Sequence, residues 1–595
     1  MVIFQFLFPI LVSVFCFTSF FIEPKEKSEF PIQSGYNVLE QESNFLNNST
    51  VDVSKFGVRC NDGSDATLFV IEALDYCKKT KAKKLVFPKG RYNFSPELAF
   101  EKYYSISNND GGLKRIAFPI IDFNNFEIDG QGSEFIFNGF ICPFIIDNSS
   151  DISLKNFSID FKRTFHSEGK VIGIRENEID VSFSGQYPYR IDNERLIFID
   201  ENMTQYPFGS LLEFDPVKRE TAFLARDYYC SPNIRVEELR KSEVRVFLKG
   251  IKAKLGNVMV FGAGHRLCPA ITITDSKGIK LNKVNIFHCG GMGVIAQRSK
   301  DILIEKVQVT PSPNSERVVS ITADATHFSN CSGTISIIDC LFENQKDDAT
   351  NIHGIYVRAD RQLSPNTVII KLVHPQQFGF DYIVKGQKLE LVNKQSLVTY
   401  KELTVKSVKR LNMEYSMVGF TESLPSEFKI GDVLAALDYP DVTIKNCIVR
   451  GNRARGILLG SRGEILIEGN TFHVPGAAIL LEGDGRFWFE QAGVRNLTIR
   501  NNIFKNCNYG VWGNAVIQVG SGVEKDFRDN NRYNRNIVIE NNNFVVFDPR
   551  ILNLYSVDNL LFRNNKVFKS ADYPAQNIDA ESFVVTNSSN VKIEK

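Results

Sequence analysis

Three aspartates in two short segments are the residues whose type and spacing could carry out chemistry. Asp324 lies in the first segment, and the adjacent Asp347 and Asp348 follow it by 23 and 24 residues. Carboxylates that lie close together repel, so the pKa of one rises while another stays ionised. Such a set titrates as a unit and supplies the acid and the base of glycoside hydrolysis. The residue types alone leave open a Ca²⁺ site or a plain aspartate-rich turn.

A repeated strand unit predicts the scaffold that positions these aspartates. The unit alternates apolar and polar residues, continues with Asn or a charged residue, and ends on an apolar residue or a second Asn. It occurs at 152–157, 279–284, 302–307, 442–447, 465–470, 497–502, 537–542 and 560–565. Three successive pairs of units are 23 residues apart, starting at Ile279, Val442 and Ile537. Short strands that recur at this spacing without helices between them indicate coils stacked in a solenoid.

The predicted fold is therefore all-β: a right-handed parallel β-helix with two inserted small β-barrel-like domains. An amphipathic helix over 68–79 is expected to cap the first coil, since an open end would expose strand edges. Two β-rich stretches lack the repeat and predict the insertions. The predicted organisation is a signal sequence (1–24), cap and first coils (50–164), an inserted β domain (165–262), coils with the aspartates (263–354), an inserted β-barrel (355–440) and C-terminal coils (441–595).

The repeat also predicts how the aspartates lie relative to one another. Since Asp324 and Asp347 are 23 residues apart, we expect them to stack on neighbouring coils, on one face. Successive residues of a strand point to opposite sides. Asp347 and Asp348 can therefore act together only where the backbone bends.

Composition limits the possible partners and the location. The net charge of +1 gives no reason to expect nucleic acid as a partner. Residues 2–22 are almost wholly apolar and predict export to the periplasm or surface of a bacterium, with a cleaved signal or a single anchor both open. Four cysteines at strand-like repeats are expected to be buried free thiols: Cys289, Cys340, Cys447 and Cys507. No sequence pattern predicts a metal or another cofactor.

The segments 323–328 and 347–354 resemble glycoside hydrolase family 110, and the resemblance extends over the cap, the solenoid and both insertions. It implies an inverting exo-hydrolysis of terminal α-1,3-linked galactose from a galactose-terminated oligosaccharide or glycoconjugate, of blood-group B or linear type. It also implies Asp347 as the general acid, with Asp324 and Asp348 positioning and deprotonating the water. The polygalacturonase family uses a similar arrangement of aspartates. Inversion needs carboxyl groups about 6.5–9.5 Å apart, which leaves room for the water.

Further residues are candidates for binding the sugar. An aromatic ring could stack on galactose, charged side chains on turns could reach its hydroxyls, and histidines beside the aspartates could bind substrate or hold a carboxylate in place. The predicted substrate-binding residues are His327, His353, Arg453, Arg455, Glu482 and Trp488, with Trp512 as the alternative to Trp488.

Two other functions are alternatives to the galactosidase. A polygalacturonase-like pectinase would act on an acidic substrate, but the chain contains neither an Asn-Thr-Asp triplet nor an Arg-Ile-Lys motif. A non-catalytic β-helix glycan-binding protein would not require the three carboxylates to converge. An exposed side of the solenoid also offers a surface for a homodimer.

Overall fold

The structure is a computed structural model that describes residues 49–594, except 231–233, 314, 492 and 530. The predicted signal sequence, residues 1–24, lies outside the described residues. No helix within the described ranges is long and apolar enough to cross a membrane. The cysteines predicted to be buried free thiols, Cys289, Cys340, Cys447 and Cys507, are buried and unpaired, which confirms that prediction.

The strand register confirms the predicted parallel β-helix. Ile279 pairs with Ile302 in parallel, and the other 23-residue steps pair in the same way. The insertions leave this register unbroken, because Ile152 pairs directly with Ile279 across the first insertion and Ile335 pairs with Val442 across the second. Both insertions are therefore side branches of one continuous solenoid.

Three ladders of parallel strands form the solenoid, and two of them belong to one 21-stranded sheet joined by long strands. The first ladder comprises Thr50–Asp52, Lys84–Val86, Asn124–Phe137, Ser150–Phe161, Lys277–Ile286, Lys300–Glu305, Ser332–Ile338, Pro440–Lys445, Glu464–Glu468, Asn496–Arg500, Asn534–Glu540, Val557–Arg563 and Ser589–Ile593. The second shares the three longest of these strands and adds Arg91–Phe94, Gln308–Val309, Leu341–Glu343, Ile448–Arg450, Thr471–His473, Ile503–Lys505, Asn543–Val546 and Lys566–Lys569.

The third ladder lies in a separate 13-stranded sheet, and it holds the strands that follow the aspartates. Its parallel members are Gly112–Ile121, Cys142–Asp147, Ile271–Thr274, Val294–Gln297, Thr326–Ser329, Thr350–Ile355, Ile457–Leu459, Ile479–Leu481, Ile517–Val519, Leu552–Tyr555 and Phe583–Thr586. Two further strands of the sheet, Phe100–Tyr104 and Glu490–Gln491, pair antiparallel with it. Thr326–Ser329 pairs in parallel with Thr350–Ile355, so this sheet determines the relative positions of the two acidic segments.

Asparagines between the coils have two distinct roles. Asn501, Asn541 and Asn564 adopt positive φ angles, which Asn tolerates at turns better than most residues do. The residue after each of them is part of a ladder of side-chain amides inside the solenoid, in which each amide donates to the next at 2.9–3.0 Å. The ladder runs through Asn470, Asn502, Asn542 and Asn565. It satisfies polar groups that would otherwise be buried without a partner.

The cap and the insertions complete the chain. The helix Thr67–Thr80 buries an apolar side that includes Val70 and Leu74. Three short 3₁₀ helices are Val53–Phe56, Pro375–Gln377 and Lys525–Phe527.

The first insertion is an eight-stranded antiparallel sheet with an added hairpin: Ser167–Arg175, Glu178–Phe183, Phe208–Asp215, Glu220–Thr221, Tyr228–Tyr229, Val236–Arg240, Glu243–Phe247 and Val258–Ala263, with Tyr189–Asp192 and Arg195–Phe198. The second is a closed barrel of Val357–Ser364, Thr367–Lys371, Lys388–Val392, Thr399–Arg410, Tyr415–Phe420 and Val433–Ala436.

Candidate active site

The three aspartates lie in the bends that lead into two paired strands of the third ladder. Thr326 pairs with Thr350, so the coil is 24 residues long at this position. Asp324 is therefore in register with Asp348, and the expectation that it stacks on Asp347 is wrong by one residue. The apolar repeat defines the strands but not the length of the turns between them, so it could not reveal the extra residue. Asp347 lies on the expected bend.

All three aspartates line one cavity of about 770 Å³. Its walls also include residues from the first insertion, from the turns of later coils and from the loop that precedes Glu490. The carboxylates thus converge on a space large enough for a sugar. This convergence is the feature that a purely binding β-helix would not require.

Asp347 is held by two arginines. Nη2 of Arg266 donates to Oδ2 of Asp347 at 2.7 Å, and Nη1 of Arg453 donates to Oδ1 at 2.7 Å. Burial opposes ionisation of Asp347, but the charges of Arg453, Arg266 and Arg455 outweigh it and lower the pKa of this carboxyl. In the free protein Asp347 is therefore the ionised member of the set.

The other two aspartates have raised pKa values. Burial, together with the charge of Asp347, raises the pKa of Asp324 to about 8 against the opposing effect of Arg266 and Arg455. Burial raises the pKa of Asp348 to about 7, although Arg455 contacts both of its oxygens, with Nε 2.9 Å from Oδ1 and Nη2 2.8 Å from Oδ2. The site thus contains both an ionised carboxylate and carboxyls that hold protons near neutral pH.

A pair of histidines lies beside Asp324. Nδ1 of His327 is 2.7 Å from Oδ2 of Asp324, and Nε2 of His327 is 2.9 Å from Nε2 of His353. His327 lines the cavity, whereas His353 lies behind it, with its Nδ1 2.8 Å from the carbonyl oxygen of Gly354. Every aspartate is therefore in contact with an arginine or a histidine. In a Ca²⁺ site the carboxylate oxygens would instead be turned towards the ion as ligands.

The remaining predicted binding residues fall into two groups. Arg455, Glu482 and Trp488 line the cavity. The carboxylate of Glu482 has no hydrogen-bond partner in the described structure, and burial raises its pKa. Trp488 is 49% exposed, and its ring lies 5.1 Å from the ring of His374 and 5.0 Å from that of Phe487. Arg453 lies behind the cavity lining and contacts Asp347.

Trp512, the alternative residue for stacking on the sugar, contacts an acidic side chain of the first insertion instead. Its Nε1 donates to Asp227 at 3.0 Å, and Asp227 also accepts from Nε of Arg453 at 2.8 Å. Trp512 therefore helps to hold the arginine that holds Asp347. It lies outside the cavity lining, which makes Trp488 the better candidate for stacking on a sugar.

Sequence analysis missed several residues of the site. Arg266 follows the last strand of the first insertion, Asp227 and Tyr229 belong to that insertion, and Glu490 lies on a two-residue strand that pairs antiparallel with Thr350–Ile355. None of these belongs to the 23-residue repeat, so the repeat gave no signal for them. Asn351 could have been identified from the sequence, because it lies inside the second acidic segment. It lines the cavity, and its side-chain oxygen is buried without a partner.

The fold and the site together define a class. A parallel β-helix that carries three aspartates with divergent pKa values at the wall of one cavity is a glycosidase scaffold. Comparison with known proteins identifies the family within this class.

Family models match both insertions and the C-terminal coils. The GLAA-B beta-barrel domain I matches residues 167–259, the GLAA-B beta-barrel domain II matches 367–434, and the right handed beta helix region matches 435–595. Among curated proteins, the alpha-1,3-galactosidase A of Shewanella woodyi is 38% identical over 91% of this chain and 89% of its own. The alpha-1,3-galactosidase B of Bacteroides thetaiotaomicron is 32% identical over 88% and 86%. The chain belongs to the family of alpha-1,3-galactosidases A and B.

Solved structures show more distant similarity. The family 28 exopolygalacturonase of Yersinia enterocolitica is 10% identical with a TM-score of 0.38, covering 92% of this chain and 78% of its own. The mannuronan C-5 epimerase AlgE4 A-module of Azotobacter vinelandii is 9% identical with a TM-score of 0.34, covering 91% and 99%. The family assignment comes from the curated relatives, and it agrees with the resemblance carried by the two acidic segments.

Proposed function

We propose that the protein is an exo-acting α-1,3-galactosidase that inverts the anomeric centre. The observation that carries the proposal is the convergence of Asp324, Asp347 and Asp348 on one cavity, with one carboxyl held ionised and two that bind protons near neutral pH. Membership of the family supports galactose as the sugar and the α-1,3 linkage. Free galactose is released as the β-anomer.

In the proposed reaction, Asp347 protonates the leaving oxygen and Asp324 takes the proton of the attacking water, while Asp348 positions that water. These roles require a proton distribution different from that of the free protein, in which Asp347 is the ionised member. The substrate supplies the reason for the change: a sugar oxygen beside Oδ2 of Asp347 competes with Nη2 of Arg266 for that position. Loss of this contact raises the proton affinity of Asp347, and the adjacent Asp348 supplies the proton.

The cavity walls suggest how galactose binds. The half-exposed ring of Trp488 suits the apolar face of the sugar, and the carboxylate of Glu482 and the side-chain oxygen of Asn351 accept from its hydroxyls. Tyr229 enters from the side of Arg453, where its hydroxyl is 3.3 Å from Nη2. Arg453 also contacts Asp347, which supports a position for Tyr229 on the side of the leaving group.

The apolar residues 2–22 support export, and we propose a periplasmic or cell-surface location. A galactose-terminated glycan is then a substrate that the protein meets outside the cytoplasm.

The test presents the purified protein with α-1,3-galactobiose, a blood-group B trisaccharide and polygalacturonate, and follows the products by proton NMR. Galactose that appears first as the β-anomer and then mutarotates supports the proposal. First appearance of the α-anomer contradicts inversion. Products from polygalacturonate, with none from either galactoside, contradict the substrate.

A further inference from the structure

Two buried histidines connect Asp324 to Glu490 through a linear series of contacts. We call the series Asp324, His327, His353 and Glu490 the histidine file. The contacts run from Oδ2 of Asp324 to Nδ1 of His327 (2.7 Å), from Nε2 of His327 to Nε2 of His353 (2.9 Å), and from Nε2 of His353 to Oε1 of Glu490 (3.6 Å). His327 is 1% exposed and His353 is 4% exposed, so bulk water does not interrupt the file. Glu490 is held in place by its strand and by the side chain of Asn108.

The far end of the file fixes which nitrogen of each neutral ring bears hydrogen. The carbonyl oxygen of Gly354 can only accept, so Nδ1 of His353 must donate to it. In a neutral His353 the Nε2 then accepts from the Nε2–H of His327. The Nδ1 of a neutral His327 is therefore bare and can only accept, which places a proton on Oδ2 of Asp324. With both rings neutral, these contacts therefore require a protonated Asp324.

A second arrangement differs only by the movement of two protons. The proton on Oδ2 of Asp324 passes to Nδ1 of His327, and the proton on Nε2 of His327 passes to Nε2 of His353. The products are an aspartate anion, a neutral His327 in its other tautomer and an imidazolium at His353. No heavy atom moves and the net charge is unchanged. The carboxylate of Glu490 lies beside the new cation.

We propose that His327 and His353 form a proton relay that moves the resident proton of Asp324 to His353 and so converts Asp324 into the base. The inference rests on the proposed function, in which Asp324 accepts a proton from water. In that step the water oxygen bonds to the anomeric carbon, the bond from that carbon to the leaving oxygen breaks, the water proton passes to Asp324, and the proton of Asp347 passes to the leaving oxygen. The relay supplies the ionised Asp324 with which the step begins.

The electrostatic surroundings of the file agree with this direction of transfer. Burial raises the pKa of Asp324 to about 8, so without a relay Asp324 would be protonated and inactive as a base at neutral pH. Burial and the proximity of His353 hold the pKa of His327 well below its usual range, so His327 passes the proton on without storing it. The other charges that face the file are Arg266, Arg455 and Asp347, together with Asp348 beside Asp324.

The test compares the pH dependence of kcat/KM for the wild type and for His353→Gln, with Ser329→Ala as the matched control. Ser329 pairs with His353 on the neighbouring coil and is equally buried, but its hydroxyl contacts Ser107 and not the file. A glutamine can accept from His327 but cannot take up its proton. A carboxyl with a pKa of about 8 is about 1% ionised at pH 6. We therefore expect kcat/KM of His353→Gln to fall at pH 6, by at most about 100-fold if the bound substrate completes the transfer in the wild type, and to recover towards the wild type at pH 9.

Other outcomes overturn the relay. A purely structural role for His353 would lower activity by the same factor at every pH, and that result contradicts the proposal. An unchanged profile contradicts it too. Failure of the proposed function is separately visible, because the wild type would then release no galactose from α-1,3-galactobiose.

A second measurement does not depend on activity. It therefore remains informative if the His353→Gln variant does not fold or if the wild type is not a galactosidase. In ¹⁵N-histidine NMR of the free wild-type protein at pH 7, we expect His327 neutral with hydrogen on Nε2 and His353 neutral with hydrogen on Nδ1. A neutral His327 with hydrogen on Nδ1 beside a neutral His353 breaks the chain of donors and overturns the inference.

Discussion

The coils that carry the three aspartates and the C-terminal coils share a parallel strand register but stack different kinds of side chain. In the C-terminal coils the register stacks identical neutral amides, Asn470 to Asn565, and each side chain satisfies the next. In the coils that carry the aspartates the register places Asp324 beside Asp348, but the described structure gives each carboxyl a different kind of partner. Their partners come from elsewhere: Arg455 from the next coil and the histidine file from inside the sheet. A repeating solenoid stabilises itself where its side chains are neutral and requires added residues where they are charged.

Asp324→Asn gives the largest expected effect. The new amide can donate to Nδ1 of His327, as the protonated aspartate does, so the fold is kept, but the side chain can no longer take a proton. Loss of a general base lowers kcat by about 10²–10⁴-fold. Steady-state kinetics on α-1,3-galactobiose measure this, and a thermal melt checks the fold.

Asp441→Asn is the matched control for that variant. Asp441 is exposed and accepts the backbone N–H of Glu464, a bond that the asparagine oxygen can also accept. Its activity should equal that of the wild type. Equal losses in the two variants would mean that the position of Asp324 has no special role.

Asn502→Ala tests the other side of the comparison. It removes the acceptor of Asn470 and the donor to Asn542 from the middle of the amide ladder. Leaving buried polar groups unsatisfied costs about 1–3 kcal/mol each, so the free energy of unfolding should fall while kcat stays unchanged. Denaturant unfolding and kinetics on the same samples measure the two effects.

Asn501→Gly separates the ladder from the turn beside it. Asn501 has a φ of 59°, which glycine adopts without strain, so this neighbour should change stability far less than Asn502→Ala. If the two variants lose equal stability, the turn and not the ladder stabilises these coils.

Arg266→Gln is expected to change the pH dependence more than the maximal rate. Arg266 helps to hold the pKa of Asp347 below its usual range, so its removal raises that pKa. If Asp347 is the acid, activity is lost at high pH as Asp347 loses its proton, and the alkaline limb of kcat/KM, which reports the free enzyme, moves to higher pH. A shift of the acidic limb instead would identify Asp347 as the base.

The repeat predicted the β-helix, because apolar alternation is a local property of each strand, and the two stretches without it predicted the insertions. The aspartates were found from their residue type and spacing. The repeat did not predict the 24-residue coil that pairs Asp324 with Asp348, since turn length is independent of that alternation. Nor did it predict Arg266, Asp227 or Glu490. These residues come from an insertion and from an antiparallel strand, and only the folded chain brings them to the aspartates.

The roles of the three carboxylates are tested most directly by the dependence of Asp347→Asn on the leaving group. An acid is needed only where the leaving oxygen needs a proton. We therefore predict that this variant loses about 10²–10⁴-fold in kcat/KM on α-1,3-galactobiose but keeps most of its activity on α-galactosyl fluoride, whereas Asp324→Asn loses both. Equal losses of Asp347→Asn on the two substrates would contradict the assignment of Asp347 as the acid.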